Sequence, residues 1–184
     1  HSSTREGLNA NLAMIPFLAE MKAIRDETET DPAWMDHEFD PPTICLNLGI
    51  NDYTSATNIT PPQSICTIGF RPMPGTNVEY ILSRGRSCAE QLGLDFKVET
   101  LHSAFRRDPQ SKFARVCAEL TDSTPRTVAY GSEASNFTDV QELIVLGPGD
   151  IAQAHKSDEW ISLEQLEKGQ QIYGDLIHRF CLTE

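Results

Sequence analysis

Residues 43–51 alternate strictly, with Ile44, Leu46, Leu48 and Ile50 on one side, and this period of two constrains the fold more than any other stretch. Successive side chains of a strand point to opposite faces, so the run predicts a half-buried strand that needs a covering layer. A second strand is expected over residues 64–71, rich in Ile, Cys, Thr and Phe and ended by Pro72-Met73-Pro74-Gly75. Helices flank the pair in the chain. Ser3-Thr4-Arg5-Glu6 has the form of a capping box, and Leu8, Leu12, Ile15, Leu18 and Ala19 then recur at helical spacing, with a kink expected at Pro16. Thr76-Asn77-Val78-Glu79 repeats the box, and Val78, Ile81, Leu82, Cys88, Ala89 and Leu92 carry a helix to a stop at Gly93. Residues 96–101 read as a third strand. The order helix, strand, strand, helix, strand becomes a ferredoxin-like split β-α-β-β-α-β sandwich if one strand precedes His1.

From Asp108 the character changes. Asp108-Pro109 opens a predicted helix with Phe113, Val116 and Leu120, short strands follow at 127–130 and 143–146, and a last helix begins at Ser162, boxed with Gln165. That helix is expected to bury Leu166, Ile172, Tyr173, Leu176, Ile177 and Phe180. Alternating elements imply a layered α/β piece, yet so few make a poor independent core, so this half reads as the tail of a larger domain. A chain that starts at His1 rather than methionine is expected to be a processed product or part of a longer protein.

The formal net charge of -12 on 184 residues argues against a phosphate-backbone partner, because binding would have to overcome a repulsive mean field. No apolar run reaches the roughly 18 residues of a membrane span. Five cysteines without C-x-x-C spacing fit scattered reduced thiols, and hence a cytoplasmic setting, better than a disulfide framework.

Short constellations carry the chemistry-bearing residues, and each has a plain structural reading. His1-Ser2-Ser3 by itself is a helix cap. Ala56-Thr57-Asn58-Ile59-Thr60-Pro61 is a turn in which Asn tolerates awkward backbone angles. Arg71, in Gly69-Phe70-Arg71-Pro72-Met73-Pro74-Gly75, forms a surface ion pair or grips a carboxylate bidentately. Gly131-Ser132-Glu133-Ala134 offers amides, a hydroxyl and a carboxylate at one rim. His155 follows Gly147-Pro148-Gly149 in a loop expected to leave a strand end, with Asp158 and Glu159 close behind. It is either a surface histidine beside solvated acids or a metal ligand or acid-base group with partners elsewhere in the chain.

Taken in order, the initial H-S-S, N-I-T-P between strands, R-P-M-P-G after a strand, Y-G-S-E-A and L-G-P-G-D-I-x-Q-A-H-x-x-D-E resemble the acetylornithine deacetylase and succinyl-diaminopimelate desuccinylase family of dinuclear zinc amidohydrolases nearly end to end, with its acetylornithine branch nearest. The resemblance implies a ferredoxin-like lid and dimerisation domain at residues 1–105, lacking its first strand, followed at 106–184 by the C-terminal part of a three-layer α/β zinc-peptidase catalytic domain. It implies that His155 ligates one of two Zn2+ ions, for which cobalt can substitute. It makes His1 catalytic, stabilising the oxyanion in the site of the other subunit of a homodimer. Asn58 then touches substrate, Arg71 grips its carboxylate, and Gly131 and Ser132 line the pocket. Glu133 holds the cationic end of an ornithine-like substrate or organises its loop. The implied reaction releases the acyl group of a small N-acyl amino acid, best matched by N-acetylornithine in arginine biosynthesis. The family's H-x-D motif, bridging aspartate, paired glutamates and remaining carboxylate ligand lie upstream of H-S-S and have no counterpart here, so this chain alone is expected to be inactive. Another N-acyl-amino-acid hydrolase, a metallocarboxypeptidase and a non-catalytic dimerisation module remain the alternatives.

Overall fold

In the computed structural model, which describes residues 1–3, 6–137 and 139–182, the first helix begins later than its leading capping box predicts. Helix α1 spans Ala10–Thr30 and is capped by Asn9, whose side chain accepts the Leu12 amide at 3.1 Å. Ser3 bonds to His1 instead, and Thr4 and Arg5, the middle of the predicted box, lie outside the described residues. Asn satisfies an orphan helix-end amide as well as Ser does, so the cap directly against the helical run wins. α1 continues through Pro16 as one element. Its buried stripe is Met14, Phe17, Met21, Ile24 and Thr28, whereas Leu8, Leu12, Ile15 and Ala19 of the expected stripe are not buried and Leu18 reaches only the core margin. Both stripes have helical spacing, so periodicity cannot choose between them.

Strands β1 (Asn47–Asn51) and β2 (Ile65–Gly69) pair antiparallel, with Asn47 opposite Gly69 and Asn51 opposite Ile65. A bond from the Arg71 amide to the Ile44 carbonyl at 2.8 Å extends the contact past the ladder. Ile44 and Leu46 are buried and Leu48, Cys66 and Ile68 pack at the core margin, but Ile50 is exposed. Helix α2 (Val78–Leu92) starts from Asn77, one residue after the predicted Thr76, whose hydroxyl accepts the Met73 amide instead. It ends at Gly93, with φ of 67°. α2 packs on α1 through Ile81, Gly85 and Ala89. Arg84 ties the two helices by bonding Glu20 and Glu27; burial works against its charge, but these bonds and one to Tyr80 outweigh it and hold its pKa above the usual arginine value.

A Cβ at Gly85 would lie 3.1 Å from the Phe96 ring, so the glycine lets Phe96 settle against the core. Residues 96–101 nevertheless form no strand. A strand exists only through its ladder, and the sheet found among the described residues holds β1 and β2 alone.

By residue contacts the chain divides into two compact units, His1–Ala104 with Val128–Gly131 and Phe105–Thr127 with Ser132–Glu184. In the second, helix α3 (Lys112–Thr121) is capped by Ser111, while Asp108, the predicted start, folds a turn by accepting the Gln110 amide at 2.8 Å. Helix α4 (Leu163–Ile177) begins at the predicted Ser162, whose hydroxyl accepts the Gln165 amide at 3.1 Å. α3 packs against α4 and against the turn that follows it, His178–Leu182, where Phe180 stands edge-on to Phe113 with ring centres 5.2 Å apart and Arg179 pairs with Glu119. The predicted burial along α4 does not occur: Leu166, Tyr173 and Ile177 are exposed, and Ile172, Leu176 and Phe180 are half-buried. Residues 127–130 and 143–146 form no strands either. Amphipathic runs become strands or buried faces only against a partner surface, and the described residues offer these runs none.

The described residues therefore form a mixed fold, helices with one small sheet. No described helix is long and apolar enough to cross a membrane. All five cysteines are free, and burial raises the thiol pKa of Cys66 and Cys117, which keeps them protonated and poorly nucleophilic.

Candidate active site

The loop carrying His155 is built on α4 rather than on a strand end. The Tyr173 hydroxyl donates to the Leu146 carbonyl at 2.9 Å. One turn earlier, Gly169 lies under Pro148, so close that a Cβ there would come within 3.0 Å of the proline Cβ and Cγ. Gly149 adopts a φ of 99°, a conformation that costs glycine little, and lies against Ile161. Asp150 then accepts the Ala152 amide at 2.8 Å and caps a single 3-10 turn, Ile151–Gln153.

That turn delivers the chain to His155, which is exposed and has a φ of 62°, in the left-handed region uncommon for a residue with a Cβ. Its amide donates to Glu159 Oε2 at 3.1 Å, while the Glu159 amide donates to the Lys156 carbonyl at 3.3 Å. Glu159 is therefore more than a solvated acid behind the histidine. The grips by Gly169 and Tyr173 were missed in the sequence, where both sat within an apolar helical pattern.

The other candidates are held by their own local bonds. The Ser132 hydroxyl accepts the Ala134 amide at 3.0 Å and caps a 3-10 turn, Glu133–Asn136, so it holds its own loop. Glu133 is exposed in the first position of that turn, and Gly131 is exposed before it. Arg107, unremarked in the sequence, donates to the carbonyl of Val140 at 3.1 Å and holds the chain beyond the turn. In the first unit, His1 Nδ1 accepts the Ser3 amide at 3.2 Å and lies 2.6 Å from the Ser3 hydroxyl. The Ser2 amide donates to the Asn58 carbonyl at 3.0 Å, so the H-S-S segment and the Asn58 turn are brought together. Arg71 is exposed just past β2 and has no carboxylate partner among the described residues, which leaves its fork open to an anionic group. His1, Asn58, Arg71 and Gly131 fall in the first unit, and Ser132, Glu133 and His155 in the second.

Among the described residues, no three His, Cys, Asp or Glu side chains gather where they could hold a metal ion. His155 is an imidazole of the type zinc accepts, but a catalytic zinc takes about three protein ligands. The residues present do not by themselves fit a metal centre.

Residues 32–179 match the sequence profile of peptidase family M20/M25/M40. The chain belongs to that family. Similar M20-type relatives include an acetylornithine deacetylase of Proteus mirabilis (strain HI4320), 28% identical over 100% of this chain and 49% of its own length. An acetylornithine deacetylase of Myxococcus xanthus is 26% identical over 80% of this chain and 41% of its own. An N-acetyl-L-citrulline deacetylase of Xanthomonas campestris pv. campestris is 31% identical over 67% of this chain and 36% of its own. The chain thus spans about half or less of the length of these curated relatives. Family membership places it in a peptidase lineage whose members are generally dependent on metal.

Proposed function

We propose that this chain is part of an amidohydrolase that removes the acyl group from an N-acyl amino acid, N-acetylornithine being the best-supported substrate, in a cytoplasmic arginine-forming step. The observation that carries the reading is the match of a named acetylornithine deacetylase along the entire chain. Residues 1–105 act as a ferredoxin-like lid that also forms a homodimer, and 106–184 complete the catalytic domain. The division into two units and the helix, strand, strand, helix order of the first support this assignment.

In this reading Arg71 binds the free carboxylate of the substrate through its planar fork. Asn58 contacts the acyl amino acid, and Gly131 and Ser132 line the pocket. His1, its Nδ1 engaged by Ser3, donates from the other ring nitrogen to the oxyanion in the partner subunit's site. His155 is one imidazole ligand of a zinc centre whose other ligands come from outside this chain.

Subunit mixing of the full-length protein tests the arrangement. His1→Ala and His155→Ala variants are each expected to be nearly inactive, and activity returns on mixing because a heterodimer holds one site with both histidines intact. Heterodimers without activity overturn the placement of His1 across the dimer.

The citrulline-directed relative favours a second reading in which the side chain of the substrate is neutral. Glu133 separates the two, since its carboxylate favours a cationic ornithine over an uncharged citrulline. Turnover of N-acetylornithine, N-acetylcitrulline, N-succinyl-diaminopimelate and neutral N-acetyl amino acids should be compared in Glu133→Gln and its parent. A selective loss on N-acetylornithine supports the first reading, and an unchanged substrate ranking overturns the role of Glu133.

A further inference from the structure

We infer that Glu159 is a positioning residue for His155. The backbone of His155 sits in the left-handed region, a conformation that is costly for a residue with a Cβ and persists only where the surroundings over-determine it. Three features do so here. The 3-10 turn capped by Asp150 fixes the approach, the Lys156–Glu159 turn fixes the exit, and the Glu159 carboxylate accepts the amide of His155 itself. Only the last acts on the strained residue directly. A hydrogen bond to a carboxylate is stronger than one between neutral groups, and it closes a ring of side chain and backbone that turns the Cα–Cβ bond of His155 away from the direction an extended residue would give it.

The carboxylate thereby sets where the imidazole projects, although it touches neither substrate nor the reacting atoms. This role rests on the reading of His155 as a functional group of the hydrolytic site. It goes beyond that reading by assigning a residue whose carboxylate reaches back to the main chain.

The test uses the full-length protein with Glu159→Ala, Glu159→Gln and His155→Ala variants. It has two readouts: exchange of the His155 amide proton by NMR, and steady-state kinetics with N-acetylornithine. Gln keeps a carbonyl acceptor for the amide, whereas Ala removes it. In Glu159→Ala the His155 amide is expected to exchange about tenfold faster or more. The kcat should fall by about 10- to 100-fold, as for loss of a group that orients a functional side chain, with KM within about twofold. Glu159→Gln should recover most of both, and the melting temperature should move little in either.

Unchanged exchange in Glu159→Ala, or equal kinetic losses in the Ala and Gln variants, overturns the proposal. A parental kcat in Glu159→Ala alongside an inactive His155→Ala overturns it too, while leaving the reading of His155 standing. A fully active His155→Ala sinks that reading, and with it the positioning of a functional imidazole by Glu159, whatever the exchange shows.

Discussion

The two units are built from the same kind of parts and come out differently. In the first, α1 and α2 cover one face of a hairpin, and Met14, Phe17, Met21, Ile24, Ile44, Leu46, Met73, Ile81 and Ala89 form a continuous buried cluster. In the second, α3 and α4 are as well capped and as amphipathic, yet the buried apolar side chains among the described residues are Ala114 and Cys117. Caps and periodicity specify a helix, but a core needs a second apolar surface in register with the first. The first unit supplies its own. The second leaves Leu163, Leu166 and Ile177 on the outside, the kind of stripe that another layer covers.

The largest test of this contrast is Ile24→Ala, which removes a fully buried side chain from the middle of the cluster. It should cost about 2–5 kcal/mol. Urea unfolding followed through Trp34, in the first unit and tilted against the Tyr80 ring with centres 5.5 Å apart, checks it. A loss under about 1 kcal/mol would mean that this core is as loose as the second unit.

Arg71 then asks whether the well-packed unit also carries binding chemistry. Arg71→Lys in the full-length protein should lower kcat/KM on carboxylate substrates by about 1.5–3 kcal/mol, the range for hydrogen bonds to charged groups. Equal losses on the carboxamide analogue would mark Arg71 as structural.

Within α4, Gly169→Ala should destabilise by about 1 kcal/mol, because overpacking against Pro148 costs roughly 1–3 and the gain in helix propensity returns about 1. Gly174→Ala in the same helix, where a Cβ meets nothing within 4 Å, should instead stabilise by about 0.5–1 kcal/mol. Opposite signs at the two glycines, read through Trp160, would show that the second unit has one specific contact even without a large core.

Leu163→Ala, at an exposed position, should stay within about 0.5 kcal/mol in this chain. A larger loss would mean that α4 is already covered.

The smallest effect concerns Asp52, whose carboxyl is held below the usual carboxylate range first by the Asn11 side chain and then by the Thr54 amide. A depressed folded pKa gives stability that is present above the unfolded pKa and lost as pH falls through the folded one. Asp52→Asn should therefore be slightly less stable than its parent at neutral pH, and the gap should close in acid. Denaturation midpoints across pH check the sign.

Much of the local code was legible. The hairpin, the Ser162 start and the Gly93 stop follow from alternation, capping and a left-handed terminus. What failed was the part that depends on a partner. Residues 96–101, 127–130 and 143–146 have strand composition, but no ladder forms among the described residues. The two stripes of α1 are equivalent in period, and only the hairpin decides that Met21 and Ile24 go inside. At the candidate site, a glycine-bearing loop ending in His155 could be read directly, whereas its positive φ and the reach of Glu159 could not. Those depend on how the chain closes on itself, which spacing does not encode.

Gly169 and Tyr173 hold the 146–148 segment from positions one helical turn apart, which makes α4 a ruler for that loop. A single residue inserted into the helix ahead of them would rotate both by about 100° and withdraw the seat for Pro148 and the hydroxyl for Leu146 together. The loop bearing His155 would thus tolerate changes in the exposed side chains of α4 far better than a change in its length.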